Sequence, residues 1–125
     1  MPLPPRLDKE INELRETWTL EVSEEPDTIN IIFKHFPIAY GYSLSACDLL
    51  VRVPRSYPDA GPDMFWTVPE LTLQGGSIPQ AAGEIVNYLG RPWRRFSWHG
   101  PPWNSTHQNM HSFVEFIRRR LREKK

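Results

Sequence analysis

The stretch that decides the fold is VRVPRSYPDAGPDMFW, residues 51 to 66. Its first residues end a run in which apolar and polar side chains alternate, and its last residues begin another such run. Between the two runs stand the pairs Tyr57-Pro58 and Gly61-Pro62. Proline fixes φ and removes a backbone donor, so this segment is predicted to be a rigid corner that ends one strand and turns the chain into the next.

The alternating pattern upstream of the corner predicts an antiparallel meander. In LSACDLLVRVP, residues 44–54, one face carries Cys47, Leu49, Val51 and Val53. That face is predicted to be buried, which makes Cys47 a small core residue. The predicted strands occupy residues 18–22, 28–36, 44–54 and 63–68.

Apolar residues at helical spacing predict one helix at each end of the chain. The first helix lies in PRLDKEINELRETW, residues 5–18, and its apolar stripe is Leu7, Ile11, Leu14 and Trp18. The second lies in residues 105–125, where Ser105 and Gln108 form a predicted capping box. Residues 80–89 are weakly patterned and are interpreted as a short helix. We therefore expect a single α+β domain over residues 1–125, with helices covering one face of a four-stranded sheet.

Composition excludes several classes of protein. The chain has 125 residues, of which 39% are hydrophobic and 24% charged, as in a globular domain. No apolar run is long enough to span a membrane and no leader opens the chain, so we expect a cytoplasmic protein with no membrane partner. The single cysteine allows no internal disulfide.

The net charge of zero conceals a division along the chain. Before Arg91 there are thirteen acidic and six basic residues, and from Arg91 onward two acidic and nine basic residues. This asymmetry has two interpretations: a charged surface for a partner, or two halves that neutralise each other across the fold.

The densest chemical signal is GRPWRRFSWHGPPW, residues 90–103. Its glycines and prolines predict an irregular crossover. Three interpretations remain open: indoles that plug the core, an arginine and tryptophan surface for a protein partner, or a platform that stacks single-stranded nucleic acid, which we do not expect. The candidate partner-binding residues are Trp93, Arg94, Arg95, Trp98 and Trp103.

Several of these residues resemble those of ubiquitin-conjugating enzymes. In that superfamily a first helix leads into a four-stranded meander, a Tyr-Pro turn and a later Trp-Ser element, and here Tyr57, Pro58, Pro62, Trp103 and Ser105 match that pattern. The block 90–103 is similar to that of a bacterial branch, the prokaryotic ubiquitin-conjugating-like family E. The resemblance implies a role beside a ubiquitin-like protein, its activating enzyme or a partner conjugating subunit. It also implies that the first helix docks the activating enzyme.

The resemblance further implies a catalytic cysteine between the Tyr-Pro corner and Trp103, where this sequence has none. Thioester transfer needs a thiolate, so we predict a non-catalytic component of the pathway. An active enzyme that uses Cys47 or a non-thiol residue such as His99 is the alternative, and an interaction module is the third reading. No cofactor is expected, and no metal either, because His107 and His111 lack a third ligand.

Overall fold

The computed structural model describes residues 3–100 and 102–123. Two helices enclose six strands in chain order. The helices are α1 (Pro5–Leu14) and α2 (Met110–Glu123), and the strands are β1 (Thr19–Glu24), β2 (Thr28–Pro37), β3 (Ala46–Pro54), β4 (Phe65–Val68), β5 (Ile85–Tyr88) and β6 (Arg91–Phe96).

The strands form one antiparallel sheet in the order β1-β2-β3-β4-β6-β5. The first four strands follow one another as neighbours, so the predicted meander is confirmed. The sheet has six strands rather than the predicted four, because β5 and β6 add a hairpin beside β4.

Both helices pack on one face of the sheet, which we call the helix face, and the main core lies there. The predicted phase of β3 is confirmed, since Cys47, Leu49, Val51 and Val53 all belong to this core. Helix α1 ends at Leu14, so Trp18 lies beyond it, and the Trp18 ring stacks on Phe36 with centroids 4.9 Å apart.

The opposite face, which we call the second face, carries a smaller cluster formed by Ile32, Leu50, Trp66, Val68 and Trp93. The β5–β6 hairpin curls back over this cluster. The Arg91 guanidinium reaches Asp48 on β3 (Nη2 to Oδ2, 3.0 Å), and the Arg52 guanidinium lies 4.0 Å from the Tyr88 ring centroid. The chain therefore covers much of its second face with its own hairpin.

Three local predictions were wrong. Residues 90–103 are not wholly irregular, since Arg91–Phe96 form β6, and residues 80–89 contain β5 in place of a helix. Helix α2 begins at Met110, so Ser105 and Gln108 do not cap it. The cap is formed instead by Asn109 and Ser112, whose side chains each accept a hydrogen bond from the other's backbone N–H (2.9 and 3.0 Å).

Candidate functional site

A cleft with a volume of about 490 Å³ lies between the Tyr-Pro corner and α2. One wall is the corner segment 59–63, and the other wall is a flank of α2 that includes the buried Phe113 and Phe116 and the exposed Arg119. The segment before α2 forms the base through Trp103. An aromatic concavity with polar groups at its margin is the usual form of a binding site.

Trp103 joins the corner to the segment before α2. Its indole donates a hydrogen bond from Nε1 to the Pro58 carbonyl at 2.7 Å, and its ring centroid lies 5.6 Å from that of Tyr57. The six-membered ring rests directly on Gly61, where an added Cβ would lie 2.1 Å from a ring carbon. Glycine at position 61 is therefore required by this close approach.

A buried carboxylate holds the corner against both helices. Glu10 on α1 is 6% exposed and accepts hydrogen bonds from the Tyr57 hydroxyl, from the Met110 backbone N–H (2.9 Å) and from Arg6 Nε (2.8 Å). Arg6 also donates to the carbonyls of Ser105 (2.8 Å) and Gln108 (2.6 Å). One wall of the cleft and the start of α2 are thus fixed to a single side chain of α1.

The titration behaviour of this cluster follows from those contacts. Burial on its own raises the pKa of Glu10, but the hydrogen bonds from Tyr57, Met110 and Arg6 outweigh it and leave the pKa below its usual value. Burial and the adjacent Glu10 carboxylate raise the pKa of the Tyr57 hydroxyl. The cluster is therefore a carboxylate that accepts from a neutral phenol and a guanidinium.

A histidine and an aspartate form an exposed pair beside the cleft. His99 Nδ1 lies 2.8 Å from Asp63 Oδ2, and both side chains are more than half exposed. A carboxylate bonded to one ring nitrogen orients the imidazole. Of the two weak catalytic candidates, His99 is thus the one beside the cleft.

The arginine and tryptophan block divides between core and cleft. Trp93 is 0% exposed on the second face, and Trp98 is 3% exposed on the helix face. Arg94 is 6% exposed, Arg95 is half-buried and ion-paired with Glu84, and Trp103 is the half-buried residue that lines the cleft. The structure therefore brings Trp103 and His99 to one site, and leaves Trp93 on the far side of the sheet.

Cys47 lies on β3 within the main core and is 4% exposed. Burial, with a smaller contribution from the Asp48 carboxylate, raises the pKa of its thiol to about 12. The sulfur is therefore a neutral, enclosed thiol at physiological pH and lies outside the cleft.

The remaining histidines do not assemble a metal site in the described residues. His111 Nε2 pairs with Glu13 on α1 at 2.9 Å, and His107 is exposed before α2. His107 therefore lies in the segment before α2, whereas His111 lies on α2 and contacts α1. Within the same residues no helix is long and apolar enough to cross a membrane.

These features define a mixed α+β protein whose terminal helices and Tyr-Pro corner frame one aromatic cleft. A family model described as prokaryotic E2 family E matches residues 4–124, so the chain belongs to that family. This confirms the resemblance drawn from Tyr57, Pro58, Pro62 and the block 90–103. Neither the curated proteins nor the solved structures include a match.

Sequence reasoning missed two residues that build the cleft. Glu10 reads as part of the polar face of α1, although its spacing of three and four from Leu7 and Leu14 places it beside the buried stripe. In the sequence Gly61 is interpreted only as a residue of the turn, whereas in the structure the Trp103 ring packs directly on it. In both cases the partner is more than forty residues away in the chain, so local patterns do not reveal it.

Proposed function

We propose that this protein is a non-catalytic component of a prokaryotic ubiquitin-like conjugation pathway, acting in the cytoplasm. Membership of prokaryotic E2 family E supports the pathway in general terms. The finer proposal is that the chain binds a ubiquitin-like protein, its activating enzyme or a partner conjugating subunit, and does not itself carry the modifier.

The enclosure of Cys47 is the observation that carries this proposal. A conjugating enzyme holds its modifier as a thioester, so its cysteine must be a reachable thiolate. The only cysteine of the chain is 4% exposed on the helix face, with a thiol pKa of about 12. Loading this sulfur would require opening the main core.

Two surfaces are proposed as the partner contacts. The exposed face of α1, with Asp8, Lys9 and Asn12, corresponds to the helix that docks the activating enzyme in the resembled enzymes. The cleft offers the half-buried Trp103 with Arg119 at its margin, and tryptophan and arginine are typical of interface hot spots. Arg94 and Trp98, although predicted as contacts, are buried, and this proposal does not place them at the interface.

The first experiment tests transfer. The protein is incubated with the cognate ubiquitin-like protein, activating enzyme and ATP, and adducts are resolved with and without reducing agent. We expect no adduct that thiols cleave. Such an adduct in the wild type that disappears in Cys47→Ser would contradict the proposal, and an adduct that persists in Cys47→Ser but is lost in His99→Ala would favour the non-thiol alternative.

The second experiment tests binding through the cleft. Arg119 at the margin of the cleft and Arg122, one turn further along α2 and outside it, are both exposed. Affinity for each pathway component is measured by calorimetry. We expect Arg119→Glu to weaken binding by about tenfold, as for loss of one charged contact, and Arg122→Glu to change it by less than about twofold. Equal effects of the two substitutions would contradict a contact at the cleft.

Nucleic acid is the less favoured partner. Stacking on single strands needs exposed aromatic faces, and two of the three indoles in residues 90–103 are buried. Gel retardation of labelled single-stranded nucleic acid by the protein, weakening as salt is added, would favour the nucleic-acid alternative.

A further inference from the structure

Arg94 is a buried cation that forms no ion pair with the described residues. Its side chain lies on the helix face of β6, the residue as a whole is 6% exposed, and its one side-chain hydrogen bond among the described residues runs from Nη1 to the Ala82 carbonyl at 2.6 Å. Its Nε is completely enclosed and has no hydrogen-bond partner within the described part of the chain. Burying an ion without a counter-charge is unfavourable, so such a group calls for an explanation.

A second orphaned group stands directly beside it. Thr67 on β4 is paired with Arg94 across the antiparallel ladder, and such pairs place their side chains on the same face about 5 Å apart. Thr67 is 0% exposed, and its Oγ1 has no hydrogen-bond partner among the described residues. Trp66 and Arg95, the next pair along the ladder, also carry unpaired side-chain nitrogens, but Arg95 is ion-paired with Glu84. The pair of Thr67 and Arg94 differs because its cation has no counter-charge among the described residues.

The remaining edge of the guanidinium has the geometry of a carboxylate receptor. Nη1 is occupied by Ala82, which leaves Nε and Nη2. The N–H bonds of Nε and Nη2 on that edge are parallel and coplanar, and they match the two oxygens of a carboxylate. The Thr67 hydroxyl can donate a third hydrogen bond. A water molecule could satisfy these donors but would leave the charge unbalanced, whereas a carboxylate satisfies both.

The segment above this pair, residues 77–84, is named the strap. It is held to β6 and the residues that follow it through its carbonyls, which accept from Trp98 Nε1, Ser97 N (3.1 Å), Arg94 Nη1 (2.6 Å) and Arg95 N (2.9 Å). Ala81 in the strap has φ +56° and Ile78 is 57% exposed, so the strap combines backbone strain with an apolar side chain in water. Because the strap covers this pair, a ligand that binds there must displace it.

We propose that Arg94 and Thr67 form a carboxylate-binding site beneath the strap. The ligand is a single carboxylate, supplied either by a free small acid or by the end of a peptide segment. A carboxylate is assigned in preference to phosphate because one planar anion balances one guanidinium edge. This inference does not rest on the proposed function, since it follows from β4, β6 and the strap alone.

The direct test follows the Arg94 side chain by ¹⁵N–¹H NMR in the intact protein. Acetate, N-acetylalanine and N-acetylalanine amide are titrated at constant ionic strength with chloride as the balancing anion. We expect the Arg94 Nε–H resonance to move saturably with both acids and not with the uncharged amide. Tighter binding of N-acetylalanine than of acetate identifies a peptide end as the source, and equal binding identifies a free acid.

Variants give an independent measurement. Arg94→Met keeps the apolar stem and removes the fork, and Thr67→Val keeps the shape and removes the hydroxyl. Arg118→Met is the control, since Arg118 is an exposed arginine that pairs with Glu115 of its own helix. We expect acetate affinity to fall at least about tenfold in Arg94→Met and about threefold in Thr67→Val, and to change less than about twofold in Arg118→Met. Without acid, Arg94→Met should unfold at a temperature equal to or above that of the wild type, because an uncompensated charge is removed.

Several results would overturn the proposal. An Arg94 Nε–H resonance that responds to acetate no more than to chloride would show a site filled by water alone. Tighter binding of phosphate than of acetate would refute the assignment to a carboxylate. If Arg94→Met unfolds below the wild type and the wild-type resonance is also unresponsive, Arg94 serves only to hold the strap.

Discussion

Replacing Gly61 by alanine should expel the Trp103 indole from the base of the cleft. The new Cβ would lie 2.1, 2.3 and 2.5 Å from three ring carbons, whereas carbon atoms pack at about 3.5–4.0 Å. The ring must therefore move by more than about 1 Å, and the 2.7 Å hydrogen bond from its Nε1 to Pro58 is lost. No positive φ is involved at this position, so the effect is one of volume rather than backbone strain.

The magnitude follows from two contributions. Overpacking at a tight contact costs about 1–3 kcal/mol, and the lost hydrogen bond adds about 0.5–1.5 kcal/mol. We expect Gly61→Ala to lower the free energy of unfolding by about 3 kcal/mol, which corresponds to a fall of roughly 10 °C in the unfolding midpoint for a domain of this size. Calorimetry measures the midpoint, and the indole N–H resonance of Trp103 reports the displacement of the ring.

Gly100→Ala is the matched control in the same cleft. There the added Cβ would meet the Phe116 ring at 3.7 Å, an ordinary contact distance. We expect its unfolding midpoint to remain within about 2 °C of the wild type, as for a substitution worth less than about 0.5 kcal/mol. If both alanine variants unfold at the same temperature, or if the Trp103 resonance is unchanged in Gly61→Ala, the described seating of the indole is wrong.

Three further predictions concern the rest of the fold. Glu10→Gln should lower the free energy of unfolding at neutral pH by about 1.5–3 kcal/mol, measured with urea, because a charged acceptor is lost. Since the native pKa of Glu10 is lowered, the stability that its carboxylate contributes disappears as the pH falls through that value, and the wild type and the variant should become equally stable in acid. A stability difference that is independent of pH would contradict the hydrogen-bond assignment. Arg91→Gln should lower the free energy of local opening of the β5–β6 hairpin by roughly 1 kcal/mol, measured as faster amide hydrogen exchange in residues 85–91. Exchange at wild-type rates would show that the ion pair with Asp48 does not hold the hairpin. Cys47 should resist a thiol reagent in the native protein and react fully in denaturant, and rapid native labelling would disprove its enclosure.

The strands of the meander were predictable because their burial has a period of two. On β3 the four residues assigned to the buried face all enter the main core, since strand geometry sends alternate side chains to opposite faces. Helix α1 was predictable for the same kind of reason, with Leu7, Ile11 and Leu14 on its packed side. Local periodicity was sufficient where an element has one face in the core.

The β5–β6 hairpin was not predictable from those rules. Its turn places Leu89 and Gly90 at φ +54° and +75°, and leucine is a poor signal for such a turn, where Asn-Gly is usual. Pro92 also argues against a strand, yet β6 tolerates it because this part of β6 pairs only with β5, through Asn87, while β4 pairs with residues 94–96. The hairpin exists because Trp93 and Tyr88 cover the second face, a tertiary cause that no short window contains.

The cleft was predictable in its parts and not in its assembly. Tyr57, Pro58, Pro62 and Trp103 were identified from their order in the chain, and the structure gathers Pro62 and Trp103 into one cleft whose shape depends on the buried Tyr57. Residues 90–103 show a single pattern of arginines and tryptophans, but their side chains occupy two environments. The reason is that β6 alternates its side chains between the two faces of the sheet. Which indoles remain near the surface was decided by that alternation and by the chain turning toward α2 at Trp103.

The returning hairpin also determines from which direction the molecule can be approached. A sheet whose second face is covered by its own β5–β6 hairpin presents little flat apolar surface to an approaching macromolecule on that side. Removing the hairpin would expose the cluster of Ile32, Leu50, Trp66 and Val68 to solvent.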